Sequence, residues 1–271
     1  MININATAAA TAANYSVNKA NVNLQKSLIR LSSGLRNNSS FEEDSGLALS
    51  TKLSAAIRRT DATSAHVGDS LSFLQTQDGV LATFDSVVGR MAELAALASD
   101  PTKANTDLAR YEEEFTALER DLTVMLGEAF NGISLFNGGS VLTVRTSENG
   151  DQTTAITQLD LQAIEAAITG TPGVGTNADA TITSAELDTQ IQALAELRAT
   201  NGEEQARLAF AQDMLAVNRT NLEAAQSQIM DVELAKKSTK YATQAILKHG
   251  DIAMLAQVSL STQKILSLLD R

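Results

Sequence analysis

Residue types able to do chemistry are few in this chain and poorly grouped. Gly170, Gly173 and Gly175 have the density of a phosphate cradle, but they follow no strand and no Gly-Lys-Ser/Thr sequence accompanies them. The stretch from Gly175 to Glu186 has a faint calcium-loop spacing. Gly175 would occupy the first ligand position and Ala180 the place of the required turn glycine, so the stretch reads as a loop leading into a capped helix. His66 and His249 are isolated, with no adjacent nucleophile and no His-Glu-x-x-His pattern. Glu112, Glu113 and Glu114 offer paired carboxylates, yet consecutive acids in a helical stretch form a solvated face more readily than an acid–base site. Asn14-Tyr15-Ser16 and Asn218-Arg219-Thr220 match the N-glycosylation pattern, but both fall on helices expected to be packed. With no Cys and two His, disulfides, thiolate chemistry and the usual zinc sites are excluded or nearly so. The expectation is a protein with no catalytic activity, no cofactor and no metal.

What the sequence does contain is helix. Of its 271 residues 44% are hydrophobic, but only 4% are aromatic and there is no Trp. Much of the apolar content is Ala, which suits long helices at close approach better than a bulky globular core. No apolar run is long enough to span a membrane. The start, Met1-Ile2-Asn3-Ile4-Asn5, lacks a basic region, so secretion would need a route other than a cleaved signal. Residues 1–41 carry +4 and residues 231–271 carry +2, against −17 between them, for a net charge of −11. The two ends thus resemble each other and differ from the middle. Their bases are too sparse and their apolar content too high to favour nucleic acid.

Val17, Asn21, Leu24, Leu28, Leu31 and Leu35 step by four and three, the seam of a coiled coil. Gly34 and Asn37-Asn38-Ser39-Ser40 break it. A second helix is expected from about Ser45 to Ser99, marked by Leu53, Ile57, Val67, Leu71, Leu74, Leu81, Val88 and Ala95 and ended by Pro101; a third spans 104–128. Val141–Val144 and Thr153–Leu159 read as short strands around a Glu148-Asn149-Gly150-Asp151 turn, and a Gly/Thr loop follows around Pro172. Thr183 and Glu186 suggest a capping box opening a helix to residue 229, with Leu187, Leu194, Asn201, Leu208, Leu215, Leu222 and Ile229 every seventh residue. In 240–269, Leu247, Met254, Val258, Ile265 and Leu269 form one stripe, and Ile246, Ala253, Ala256 and Leu260 another, roughly 140° away at ~100° per residue. A helix apolar on nearly opposite sides must be covered on both. The N-terminal helix can cover one stripe, which leaves the other for further subunits.

Arg30-Leu31-Ser32-Ser33-Gly34-Leu35-Arg36, followed by Gly46-Leu47-Ala48-Leu49, resembles the N-terminal signature of bacterial flagellins. Phe130-Asn131-Gly132 resembles the family's third-helix ending. Leu197-Arg198 with Gly202, Gln205 and Arg207, then Tyr241-Ala242-Thr243, Gln244-Ala245-Ile246-Leu247 and Leu266-Ser267-Leu268-Leu269-Asp270-Arg271, resemble its C-terminal motifs. The similarity covers about 1–140 and 184–271. Glu42-Glu43-Asp44-Ser45 departs from the usual Asp-Asp-Ala-Ala, and the variable outer domain is reduced to about 137–180.

The resemblance implies a mostly α fold: long antiparallel helices forming a coiled-coil rod, with a small β-hairpin region in the middle of the chain. It divides the chain into a filament-core helix (1–36), two rod segments (37–136 and 184–230) around a short hairpin and loop insert (137–183), and a second filament-core helix (231–271). It implies a structural subunit exported unfolded and polymerised into an extracellular flagellar filament for motility. Its partners would be copies of itself, other flagellins in the same polymer, the export apparatus, an export chaperone and the filament cap, with no nucleic acid and no membrane insertion. The filament-core positions would be Val17, Leu24, Leu28, Leu31, Leu35, Ile246, Leu247, Met254, Val258, Leu260, Ile265 and Leu269. Arg90, Glu93 and Leu94 match the family's patch for the flagellin-sensing Toll-like receptor, with Arg120 where the family carries an acid; the alternative is a plain i,i+3 ion pair beside a packing leucine. A hook–filament junction protein or another secreted coiled-coil adhesin is the alternative function.

Overall fold

The computed structural model describes residues 3–36 and 44–269. In chain order these form α1 (Asn3–Ser33), α2 (Asp44–Ala98), α3 (Asn105–Met125), β1 (Ala129–Phe130), β2 (Ile133–Ser134), β3 (Val141–Arg145), β4 (Thr153–Thr157), α4 (Gln162–Thr169), α5 (Asn177–Met230) and α6 (Leu234–Leu269). Contacts group them into two units: Met1–Ala55 with Asn221–Arg271, and Ala56–Thr220. The fold is mostly α, with long helices and two small antiparallel ladders, β1–β2 and β3–β4.

The second unit holds the hydrophobic core, whose buried members all lie between Val67 and Leu215. Two heptad stripes build it. Val67, Leu74, Leu81, Val88 and Ala95 are buried on α2; Ala180, Leu187, Leu194, Leu208 and Leu215 are buried on α5, with Asn201 completing the series. The helices run antiparallel, because Asp61 pairs with Arg219 at 3.2 Å while Asp78 meets Arg198 at 3.4 Å. The polar residues flanking the α5 stripe therefore have work: Arg198 also reaches Asp85 at 3.5 Å. Leu108, Phe115 and Leu122 supply the buried face of α3, again seven apart. Phe84→Ala or Phe115→Ala removes a fully buried ring from this core. Each is expected to lower unfolding stability by about 3–5 kcal/mol, measured by denaturant titration; a loss below ~1 kcal/mol would contradict the packing.

A buried polar network fixes the small strands against these helices. Asn201 donates to the Leu74 carbonyl (3.2 Å) and to Gln77 Oε1 (2.7 Å), and accepts from Gln205. Gln77 Nε2 donates to the Leu135 carbonyl at 2.8 Å, and Gln158 Nε2 to the Ser134 carbonyl at 2.6 Å. The Glu204 carboxylate accepts from Thr157 N (3.0 Å) and Thr157 Oγ1 (2.7 Å). A single polar side chain in an apolar heptad stripe specifies register, since any slip leaves it unsatisfied. The β1–β2 hairpin turns on Asn131 (φ 50°) and Gly132 (φ 81°) between paired Phe130 and Ile133, the left-handed pair of a type I′ turn. Phe130 packs edge-on against Phe73 with centroids 6.1 Å apart.

Three expectations are corrected. The last rod helix does not open at Thr183: α5 starts at Asn177, and Thr183 is buried within it, donating to the Gly173 carbonyl at 2.7 Å. The cap is Thr176, whose Oγ1 accepts from Asp179 N (3.2 Å) and donates to Asp179 Oδ2 (2.6 Å). The calcium-loop stretch is thus largely helix. The span read as loop before Pro172 contains α4, whose Ile164 and Ile168 are buried. The Asn131-Gly132 turn joins two paired strands rather than ending a helix into loop.

Candidate assembly surface

In the first unit α1 and α6 pack antiparallel: Ser27 Oγ donates to Gln244 Oε1 at 2.9 Å, and Leu35 is bridged to Asp231. The half-buried seam of α1 is Ala13, Val17, Ala20, Leu24 and Leu31 together with buried Ser27. Its counterpart on α6 is Lys237, Tyr241, Gln244, Lys248, Asp251, Leu255 and Val258. Both series step by three and four, as a coiled-coil seam requires. The Arg30–Arg36 signature has a structural task here. Gly34, at φ 71°, ends α1 by donating to the Arg30 carbonyl at 3.0 Å, a left-handed cap. Its own carbonyl accepts from Val232 N at 2.9 Å, and Arg36 N donates to the Met230 carbonyl. The signature therefore clasps the α5–α6 junction.

The seam departs from the sequence reading at one α1 position and over most of α6. On α1 the expected positions Val17, Asn21, Leu24, Leu31 and Leu35 are half-buried, and the departure is at Leu28, whose place Ser27 takes. On α6 the covered face is neither apolar stripe, and only Val258 of those stripes is part of it. Ala13, Ala20 and Ser27 share the α1 side of the seam with Val17, Leu24 and Leu31, while other bulky apolar side chains turn outward. Leu28 is 54% exposed, Ile29 51%, Ile246 72%, Leu247 58%, Met254 65% and Leu260 53%. Of the expected filament-core positions, Val17, Leu24, Leu31, Leu35 and Val258 are half-buried inside the unit and Leu28, Ile246, Leu247, Met254 and Leu260 face solvent. The side chains of Ile265 and Leu269 lie outside the described residues.

The other candidates sit in the second unit. Arg90 is shared between Glu114 (2.8 Å) and Glu93 (2.5 Å), and the hydrogen bonds it donates to these two carboxylates, Glu114 foremost, hold its guanidinium more firmly charged. Leu94 is fully buried, so it belongs to the core and only Arg90 and Glu93 of that patch face solvent. The three consecutive glutamates are split: Glu112 accepts from Val174 N at 2.6 Å, Glu113 is exposed, and Glu114 pairs with Arg90. Gly173 stands at φ 81°, a left-handed conformation that favours glycine, and a Cβ there would also displace the Glu112 carboxylate, 2.6 Å away. The glycine-rich stretch is thus a strap held by Glu112 and Thr183. His66, His249, Asn14 and Asn218 are exposed on helices, the two asparagines on the open faces of α1 and α5. Among the described residues no group of His, Cys, Asp and Glu is arranged to hold a metal, and no helix is long and apolar enough to cross a membrane.

One titration follows from this cluster. Partial burial raises the pKa of Glu119, and the charges of Glu112 and Glu165 raise it further. A carboxylate whose pKa is raised by folding opposes the fold when ionised. That penalty is present at neutral pH and disappears as pH falls through the raised value to the ordinary range near ~4.3. Glu119→Gln is expected to stabilise the protein at pH 7 by less than about 1 kcal/mol, because Glu119 is half-exposed and screened, and to have no effect near pH 3. Thermal melts of both proteins at the two pH values check it; an equal effect at both would refute the charge origin.

The described residues form a mostly α protein with a core-bearing unit and, in the other unit, a helix pair that carries outward apolar side chains. Comparison with known proteins agrees. The model of the bacterial flagellin N-terminal helical region matches residues 2–140, and that of the C-terminal helical region matches 185–269. The chain is 34% identical to a flagellin of Halalkalibacterium halodurans over 90% of this chain and 91% of that one. It is 32% identical to flagellin FlaB2 of Treponema pallidum, covering 92% and 93%. The crystal structure of Bacillus cereus flagellin superposes with a TM-score of 0.50 at 27% identity, covering 59% of this chain and 93% of that one. The chain belongs to the bacterial flagellin family, whose members are structural subunits of the flagellar filament.

Proposed function

We propose that this subunit leaves the cell unfolded through the flagellar export apparatus and polymerises with copies of itself outside the cell. An export chaperone and the filament cap attend that route, and other flagellins can share the polymer. In this reading 1–36 and 231–271 form the filament core, and 37–136 and 184–230 form the rod around the insert at 137–183. The observation that carries it is the outward array of Leu28, Ile29, Ile246, Leu247, Met254 and Leu260 on a helix pair whose internal seam leaves these side chains uncovered. Burying that surface against neighbouring copies contributes about 25 cal/mol per Å². Charge cannot be the driving force between like units. The Ala56–Thr220 unit carries ten bases against twenty-four acids, a net −14, so side-by-side copies repel and salt is needed to screen them.

The test is assembly of the purified chain. Seeded monomer in moderate salt is expected to give long helical tubes by electron microscopy, with residues of α1 and α6 protected from surface labelling. Amorphous aggregate, or tubes in which α6 remains fully labelled, would overturn the reading. The receptor patch narrows to Arg90 and Glu93, since Leu94 has no surface to offer.

A further inference from the structure

Asparagine followed by glycine occurs four times in this chain: at 131–132, 137–138, 149–150 and 201–202. The pair is chemically labile because glycine leaves its own nitrogen unhindered. That nitrogen, losing its proton to water or hydroxide, attacks the asparagine Cγ. Ammonia leaves, a succinimide forms, and water opens it to aspartate or isoaspartate. The sequence makes the four pairs equivalent, and the fold does not.

Asn201 is fully buried inside α5, its amide donating to Leu74 and Gln77 and its carbonyl accepting from Gln205. Gly202 follows it within the helix, where backbone N–H groups are committed to the ladder. Asn131 is held at φ 50°, in the left-handed region, where ψ is typically about +47°. There the next nitrogen lies nearly trans to Cβ, so Cγ cannot reach it. Asn149 is exposed, but the Gly150 N–H donates to the Ser147 carbonyl at 3.1 Å, closing the β3–β4 turn. Asn137 has none of these protections. It is exposed, it lies in no helix or strand, and its φ is not positive. Gly138 N donates to no group among the described residues, whereas the next amide, Gly139 N, donates to the Gln158 carbonyl at 2.8 Å. Gly138 (φ 57°) and Gly139 (φ 76°) can follow the rotation about Asn137 that ring closure requires.

We infer that Asn137 is the site of spontaneous deamidation in the folded protein, and that the fold protects the other three Asn-Gly pairs. The consequence is local. The Asn137 carbonyl accepts from Ser140 N at 3.1 Å, and Ser140 and Gly139 carry the backbone bonds to Gln158 that seat the start of β3. Isoaspartate adds a methylene to that turn, and either product adds a negative charge to an already acidic unit.

The experiment is timed incubation of the folded, full-length protein at mildly alkaline pH, then digestion and mass spectrometry of the four peptides, with isoaspartate separated from aspartate. Asn137 is expected to convert at least roughly tenfold faster than Asn131 or Asn149, as for ~1.4 kcal/mol in barrier, and Asn201 not at all. In denaturant the four should convert at comparable rates. The inference is overturned if Asn131 or Asn149 leads in the folded protein, if the three exposed pairs convert alike, or if none converts while the denatured chain does.

Discussion

Brief protease treatment of the monomer is expected to strip residues 1–55 and 221–271 and leave a resistant fragment close to 56–220. The reason lies in what each unit buries. Among the described residues, the buried ones of the first unit are Ser27, Ser50 and Val232, none a large apolar side chain in a shared core. The second unit buries Phe84, Phe115, Met91 and a series of Leu residues completely. Ordering backbone opposes folding by about 1–2 kcal/mol per residue, so helices without buried apolar contact open at little cost. A gap of about 4 kcal/mol in opening free energy corresponds to roughly 10³ in cleavage rate. Amide exchange of α1 and α6 should show the same contrast. After assembly the difference should vanish, because neighbouring copies then cover both helices. Equal protection of the two units in verified monomer would refute this.

Most of the second unit was legible from the chain. The α2 and α5 heptads predicted which residues are buried because a long helix with one stripe has one way to face its partner. The α1–α6 seam was less legible. Bulk apolarity pointed to Leu28 and the Leu247–Met254 stripe, while the internal contact puts Ser27 in the place of Leu28 and uses an α6 face that mixes Lys237, Gln244, Lys248 and Asp251 with Tyr241, Leu255 and Val258. A sequence shows that a helix is apolar on several sides. It does not show which side goes to its own partner and which to another copy. Glu204 was missed because its partner, Thr157, is brought to it only when the β3–β4 hairpin settles on α5. The start of α5 at Asn177 was hidden by glycines and by Thr183, whose hydroxyl looked like a cap but closes a strap. Asn177 gives the better signal in retrospect: its amide donates to the Ala98 and Asp100 carbonyls, so one side chain ends α2 and begins α5.

The sharpest separation of folding from assembly is expected from Ile246→Asp and Leu28→Arg. Ile246 is 72% and Leu28 54% exposed in the subunit. A charge at either position therefore meets water, and the monomer should keep its stability within ~0.5 kcal/mol. In the polymer the same charge would be enclosed by apolar surface with no partner, at a cost of about 3–5 kcal/mol. Each added subunit incurs that cost again, so the critical concentration should rise by roughly 10²-fold or more. Ile246→Val keeps the apolar contact and should assemble nearly as the parent does, which separates loss of burial from mere alteration of the residue. Circular dichroism of the monomers and sedimentation of seeded polymer across a concentration series measure the two effects independently. Ile246→Asp filaments forming at the parent concentration would show that the exposed α6 face points to solvent in the filament as well. Unfolded monomer in either variant would show instead that the face is already buried before assembly.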